Sequence, residues 1–139
     1  MQKLLDINIS LEKQQKNELS VINNRIKMLE SDILQKESEI EQMHMQTKKQ
    51  LSEHCKVEKI QSLNFYIFCL NKKINAIKVL LEEENIKKQK VQAELTNTMI
   101  KRKSLEKLRE KQYKQYLIEL KKEEEKASDD FVTFSYLYG

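Results

Sequence analysis

The side chains that could do acid–base or metal chemistry in this chain are two histidines, two cysteines and many carboxylates. His54 adjoins Cys55, a pair that resembles half of a metal site, but neither His44 nor Cys69 stands close to it in the chain. Zinc sites need three or four convergent ligands, and two cysteines this far apart fit neither a CxxC motif nor a disulfide framework. We therefore expect solvated histidines, reduced thiols and no metal.

The composition indicates which elements position these side chains. The 139 residues include no proline and a single glycine, Gly139, while 35% of them are charged. Tight turns between elements normally need proline and glycine, so sandwiches, barrels and doubly wound α/β folds are excluded. The abundance of Lys, Glu, Leu, Ile and Gln is typical of long helices and coiled coils. The composition therefore favours an all-α protein.

Two stripes of apolar residues with heptad spacing predict a long antiparallel two-helix coiled coil, or α-hairpin. We expect one domain over residues 1–128, with helices at about 3–50 and 59–127 and a turn at about 50–58. One unbroken helix is the alternative, but it would leave each stripe without a partner. The positions at steps of three and four are Leu19, Ile22, Ile26, Leu29, Ile33, Lys36, Ile40 and Met43, then Ile60, Leu63, Ile67, Leu70, Ile74, Ile77, Leu81, Glu84, Lys88, Val91, Leu95, Thr98, Arg102, Leu105, Arg109, Gln112 and Tyr116.

The chain before Leu19 carries a shorter apolar stripe formed by Leu4, Ile7 and Leu11. Gln15 is its only link to the later stripe, since it lies four residues from both Leu11 and Leu19. Two successive steps of four make a stutter, which locally unwinds a supercoil. We therefore expect the first helix to change register near Gln15.

A hairpin of this kind offers little that an enzyme would need. Carboxylates occur in runs such as 82–84 and 123–125, but on long exposed helices they solvate a face. There is no internal glycine for a phosphate-binding loop, and two packed helices lack a concave pocket. We expect no enzyme activity and no cofactor. The longest apolar run, 63–70, is also too short to span a membrane.

Aromatic and basic residues are the remaining candidates for binding. A narrow helical seam cannot absorb every apolar residue of 63–70, so Phe65, Tyr66 and Phe68 must partly face elsewhere. They either pack near the hairpin turn or form an exposed patch for a partner. The basic stretch 101–114 contains interleaved glutamates, which favours a solvated helix face over nucleic-acid binding. The aromatic segment 129–139 is expected to be a flexible tail, or else a docking anchor.

Three segments, taken in order, resemble one known family. Residues 2–19 read QKLLDINISLEKQQKNEL, and residues 105–113 and 125–130 read LEKLREKQY and EKASDD. They resemble the flagellar export protein FliJ family, and the resemblance covers nearly the whole chain. The family's second helix typically opens with the motif YxxFIxxLxxxI. Its positions are occupied here by Leu63, Tyr66, Ile67, Leu70 and Ile74.

The resemblance implies a soluble component of the bacterial flagellar type III export apparatus, similar to the γ-subunit stalk of rotary ATPases. Members of the family insert their paired termini into the hexameric export ATPase FliI and promote its ring assembly. They also contact the export-gate protein FlhA and help to cycle export chaperones. Such a protein is cytoplasmic and lies peripherally at the membrane export apparatus. The related YscO-like stalk of an injectisome, or a self-associating structural coiled coil, is the alternative.

The resemblance also implies two partner-binding sites. Tyr66 and Leu70 match the family's gate-contacting aromatic and leucine, whereas Lys73 and Ile77 replace the small residue and the histidine expected next. With the surplus aromatics added, the predicted gate site is Phe65, Tyr66, Phe68 and Leu70. The predicted ATPase site is Leu4, Leu5, Arg109, Lys111 and Tyr113.

Overall fold

The chain folds into two long helices that pack against each other. The computed structural model describes residues 2–53 and 56–138. Helix α1 spans Gln2–Ser52 and helix α2 spans Val57–Tyr138. The all-α hairpin predicted from the heptad stripes is confirmed. His54 and Cys55 lie outside the described residues, so the expectation that they hold no metal stays a prediction.

The connection between the helices is built without glycine or proline. At the end of α1 the Ser52 hydroxyl donates a hydrogen bond to the Lys49 carbonyl over 2.9 Å, and the Glu53 amide donates to the same carbonyl over 3.1 Å. At the start of α2 the Lys59 amide donates to the Lys56 carbonyl over 3.1 Å. These bonds pair backbone groups that a helix end otherwise leaves without a partner.

By its internal contacts the chain divides into two units. The first, which we call the hairpin unit, is Gln14–Leu95, and the second, the terminal unit, consists of Met1–Lys13 and Thr96–Gly139. The centre of the hairpin unit is a buried cluster of Ile22, Ile26 and Val91, against which Leu19 and Leu81 pack. The unit also buries Ile33, Ile67, Leu70 and Ile74.

The terminal unit has a more polar interior. Leu5 is its most buried apolar side chain, at 2% exposure, while Glu12 and Thr98 are buried polar residues. The Glu12 carboxylate accepts a hydrogen bond from Arg102 Nε of α2, and this pairing compensates for the burial of its charge. Beyond it, Arg109 Nη1 donates to Gln2 Oε1 over 3.3 Å. Antiparallel packing therefore extends to the first turn of α1.

The stutter predicted near Gln15 is wrong. The inward positions at the start of α1 are Leu5, Asn8, Glu12 and Gln15, whose spacing continues the heptad from Leu19 without a break. The apolar residues Leu4, Ile7 and Leu11 are exposed. The heptad register of α1 therefore continues through polar residues. Glu12 can occupy a core position because its carboxylate pairs with Arg102 of α2.

The heptad positions predicted for α2 are confirmed over most of their length. Every one from Ile60 to Leu105 is buried or half-buried. Arg109, Gln112 and Tyr116 were expected to continue the seam, but they are exposed. Arg109 contacts α1 only through its hydrogen bond to Gln2, and no described residue of α1 covers Gln112 or Tyr116.

The end of α2 lies further along the chain than the sequence suggests. A flexible tail is predicted for 129–139, whereas the helix continues to Tyr138. Neither glycine nor proline occurs before Gly139 to stop it. The rings of Phe134 and Tyr138, one helical turn apart, lie with their centroids 4.8 Å from each other. Aromatic pairs of this kind favour the helical conformation.

Candidate partner-binding surfaces

Three aromatic side chains near the start of α2 form an exposed surface in the hairpin unit. Phe65, Tyr66 and Phe68, which we call the aromatic patch, are 67%, 47% and 53% exposed. The inward positions Leu63, Ile67 and Leu70 lie on the other side of the helix, so Phe65 points away from α1. Large apolar surface left in water is typical of a site for a protein partner.

The aromatic patch has a cationic edge. Lys72 Nζ lies 4.8 Å from the centroid of the Phe68 ring, within the range of a cation–π interaction. This contact orients the Phe68 ring and places a positive charge beside it. A partner that fits the patch would offer an apolar pocket with polar or acidic groups at its rim.

Leu70 takes no part in this surface. It is 4% exposed and belongs to the core between the helices of the hairpin unit. Of the four residues predicted for the gate site, the structure thus leaves three exposed and places one inside. Any effect of a Leu70 substitution on binding would pass through the packing of the hairpin.

The residues predicted for the ATPase site fall within the terminal unit. Arg109, Lys111 and Tyr113 are exposed on α2, and the hydrogen bond from Arg109 to Gln2 brings this part of α2 beside the start of α1. Leu4 is exposed there, but Leu5 is buried. Leu4 and the three α2 residues are therefore open to a partner, while Leu5 stabilises the packing of the two helices.

A further apolar surface was missed in the sequence. Phe131, Phe134 and Tyr138 share one helix face, at steps of three and four residues. The expectation of a flexible tail hid this spacing. The uninterrupted helix formers of 107–130 and the absence of glycine were the signals that could have revealed it.

The described residues contain no group of three or more His, Cys, Asp or Glu side chains that could hold a metal ion. Within residues 2–53 and 56–138, neither helix has a stretch long and apolar enough to cross a membrane.

Two long helices with exposed apolar and basic surfaces define a helical-hairpin protein whose accessible features are suited to binding other proteins. A family model described as "Flagellar FliJ protein" matches residues 1–138. The chain therefore belongs to the FliJ family and is a component of flagellar type III export. No curated protein and no solved structure gives a match.

Proposed function

We propose that this protein is a non-enzymatic, stalk-like adaptor of flagellar export. The terminal unit binds the hexameric export ATPase FliI and promotes its assembly, and the aromatic patch binds the export-gate protein FlhA. The observation that carries the proposal is the family match over residues 1–138, which includes both surfaces. The protein acts in the cytoplasm, peripherally at the membrane export apparatus, where it also meets export chaperones.

The charge and exposure of the terminal unit support its assignment to the ATPase. Arg109 and Lys111 are exposed cations, and Arg109 lies one helical turn before the exposed ring of Tyr113 on the same side of α2. Arginine and tyrosine are enriched among the residues that dominate binding energies at protein interfaces. Basic side chains at a rim also steer association with an acidic surface. The acidic partner groups would line the central opening of the ATPase ring.

The aromatic patch supports the assignment of the gate partner to the hairpin unit. Phe65 and Tyr66 are anchors of the kind that fill pockets, and Lys72 fixes the ring of Phe68. Because the two surfaces belong to different units, a substitution in one leaves the other chemically intact. This separation makes the two binding functions testable independently.

The test is a pair of binding measurements with the purified ATPase and the cytoplasmic domain of the gate protein. We expect Arg109→Glu combined with Lys111→Glu to weaken ATPase binding at least about tenfold and to leave gate binding unchanged. Phe65→Ala combined with Tyr66→Ala should have the opposite pattern. Lys90→Glu, which reverses an exposed charge in the hairpin unit, is the matched control. If wild-type protein bound neither partner, the proposal would be wrong.

A further inference from the structure

The last part of α2 has no partner among the described residues. Every side chain from 107 to 138 is exposed, and the hydrogen bond between Arg109 and Gln2 is the last contact with α1 that the described residues show. In proteins, most of the stability of a helix comes from the tertiary packing of its apolar face. This part of α2 therefore lacks the contacts that stabilise the rest of the helix.

One face of this part of α2 is apolar. We call it the C-terminal stripe, and its members follow one another at alternating steps of four and three residues, the heptad spacing of a coiled-coil seam. Glu124 is its only charged position. The stripe consists of Tyr113, Leu117, Leu120, Glu124, Ala127, Phe131, Phe134 and Tyr138.

The C-terminal stripe has a similar order of side-chain sizes when it is read from either end. If a second copy of the helix runs in the opposite direction, Leu120 of one copy lies opposite Phe131 of the other, and Leu117 lies opposite Phe134. The two tyrosines at the ends meet in the same way, and Glu124 faces the small side chain of Ala127. Each layer then combines a large apolar side chain with another, except at the centre, where space for the carboxylate is available.

The charges outside the stripe favour the same arrangement. Within the paired residues, 113–122 contain three basic side chains and one acidic one, and 129–138, which lie opposite them in the antiparallel arrangement, contain two acidic side chains and no basic one. An antiparallel pair brings the basic segment 113–122 of one copy beside the acidic segment 129–138 of the other, and a parallel pair would bring like charges together. The acidic segment would also be repelled by an anionic membrane or by nucleic acid. A second copy is the occupant that suits both segments.

We propose that the C-terminal stripe is a self-association surface, on which two copies of this chain pair through residues 113–138 as an antiparallel coiled coil when the ATPase is absent, since Tyr113 also belongs to the proposed ATPase site. The hairpin of each copy remains intramolecular. Pairing covers the apolar face that each chain leaves in water and supplies the packing that residues 113–138 otherwise lack.

Sedimentation equilibrium of the full chain tests the association. The wild type should have twice the 16.7 kDa mass of one chain at micromolar concentrations, and higher salt should weaken the pairing. Leu120→Glu should return the mass to that of one chain. Ile118→Glu is the matched control, because Ile118 is exposed on the opposite face of the same helix, and it should leave the dimer intact. Circular dichroism would show that both variants keep the helical hairpin.

Cysteine crosslinking tests the orientation. In a chain with Cys55→Ser and Cys69→Ser, Leu120→Cys and Phe131→Cys are placed on separate copies and mixed under mild oxidation. The two should crosslink to each other, while Leu120→Cys alone should not, because its two copies would lie about 16 Å apart along the axis. A monomeric wild type, a dimer that survives Leu120→Glu, or efficient crosslinking of Leu120→Cys to itself would overturn the proposal.

Discussion

Arg102 of α2 donates a hydrogen bond from Nε to the carboxylate of Glu12 in α1, across a separation of 90 residues in the chain. The same guanidinium donates from Nη1 to Glu106 over 3.0 Å, and the hydrogen bonds to Glu106 and to Glu12 raise the pKa of Arg102 above its usual value. Glu12 occupies a heptad core position with a side chain only 8% exposed. A charged pair thus holds the register of α1 where an apolar residue would be expected.

Breaking this pair on one side should destabilise the terminal unit. With Arg102→Leu, the Glu12 carboxylate stays buried without its main partner, so the thermal midpoint should fall by several degrees. Glu12→Leu leaves a partly exposed arginine, so it should lower the thermal midpoint less than Arg102→Leu does. In the combined variant both charges are replaced by apolar side chains, so most of the loss should be recovered.

A double-mutant cycle measured by thermal denaturation checks this prediction. The coupling between the two sites should be favourable, because each single variant removes one hydrogen-bond partner of the other residue. Additive losses in the combined variant would show that Glu12 and Arg102 do not stabilise the fold through each other.

Replacing a second polar residue in the seam should increase the stability of the fold. Gln15 is buried in the hairpin unit, and its Oε1 has no hydrogen-bond partner among the described residues. Gln15→Leu removes this uncompensated acceptor and adds apolar area to the core, so unfolding should require about 1 kcal/mol more. Urea denaturation measures the change, and a loss of stability would mean that Gln15 has a favourable role in the folded state.

The buried cluster of Ile22, Ile26 and Val91 should contribute much of the stability of the hairpin unit. Ile26 is buried beside Ile22 and Val91, so Ile26→Ala should cost about 2–4 kcal/mol and Ile26→Val about 1 kcal/mol. The milder variant keeps the prediction measurable if the alanine variant unfolds. Val21, which is exposed, is the control, and Val21→Ala should change stability by less than about 0.5 kcal/mol. Equal losses at Val21 and Ile26 would contradict the packing described for this cluster.

The hairpin and the seam of α2 could be predicted from the sequence because apolar residues mark them directly. The positions from Ile60 to Leu105 keep heptad spacing even where Glu84 and Lys88 interrupt the apolar pattern. The start of α1 could not be predicted in this way, since its inward residues are largely polar and depend on Arg102, which is distant in the sequence. A stripe of exposed apolar residues, Leu4 to Leu11, imitated the seam.

The candidate sites were predicted less completely for a related reason. A resemblance assigns residues to positions, but it does not tell which of them face the partner helix. Leu5 and Leu70 are buried between the helices, while Leu4, Tyr66 and Tyr113 are exposed. The helical end of α2 was missed because aromatic and β-branched residues suggested a tail, although no residue there ends a helix.

The rate of ATP hydrolysis by the cognate export ATPase is the measurement that tests the proposed function most directly. The ATPase is held at a concentration where it is mostly unassembled, and the protein is added in increasing amounts. We expect the rate to rise as hexamers form, since a ligand that binds the assembled state favours it by mass action. Lys90→Glu should act like the wild type, and Arg109→Glu with Lys111→Glu should not raise the rate. A rate that stayed constant on addition of the wild-type protein would contradict the account.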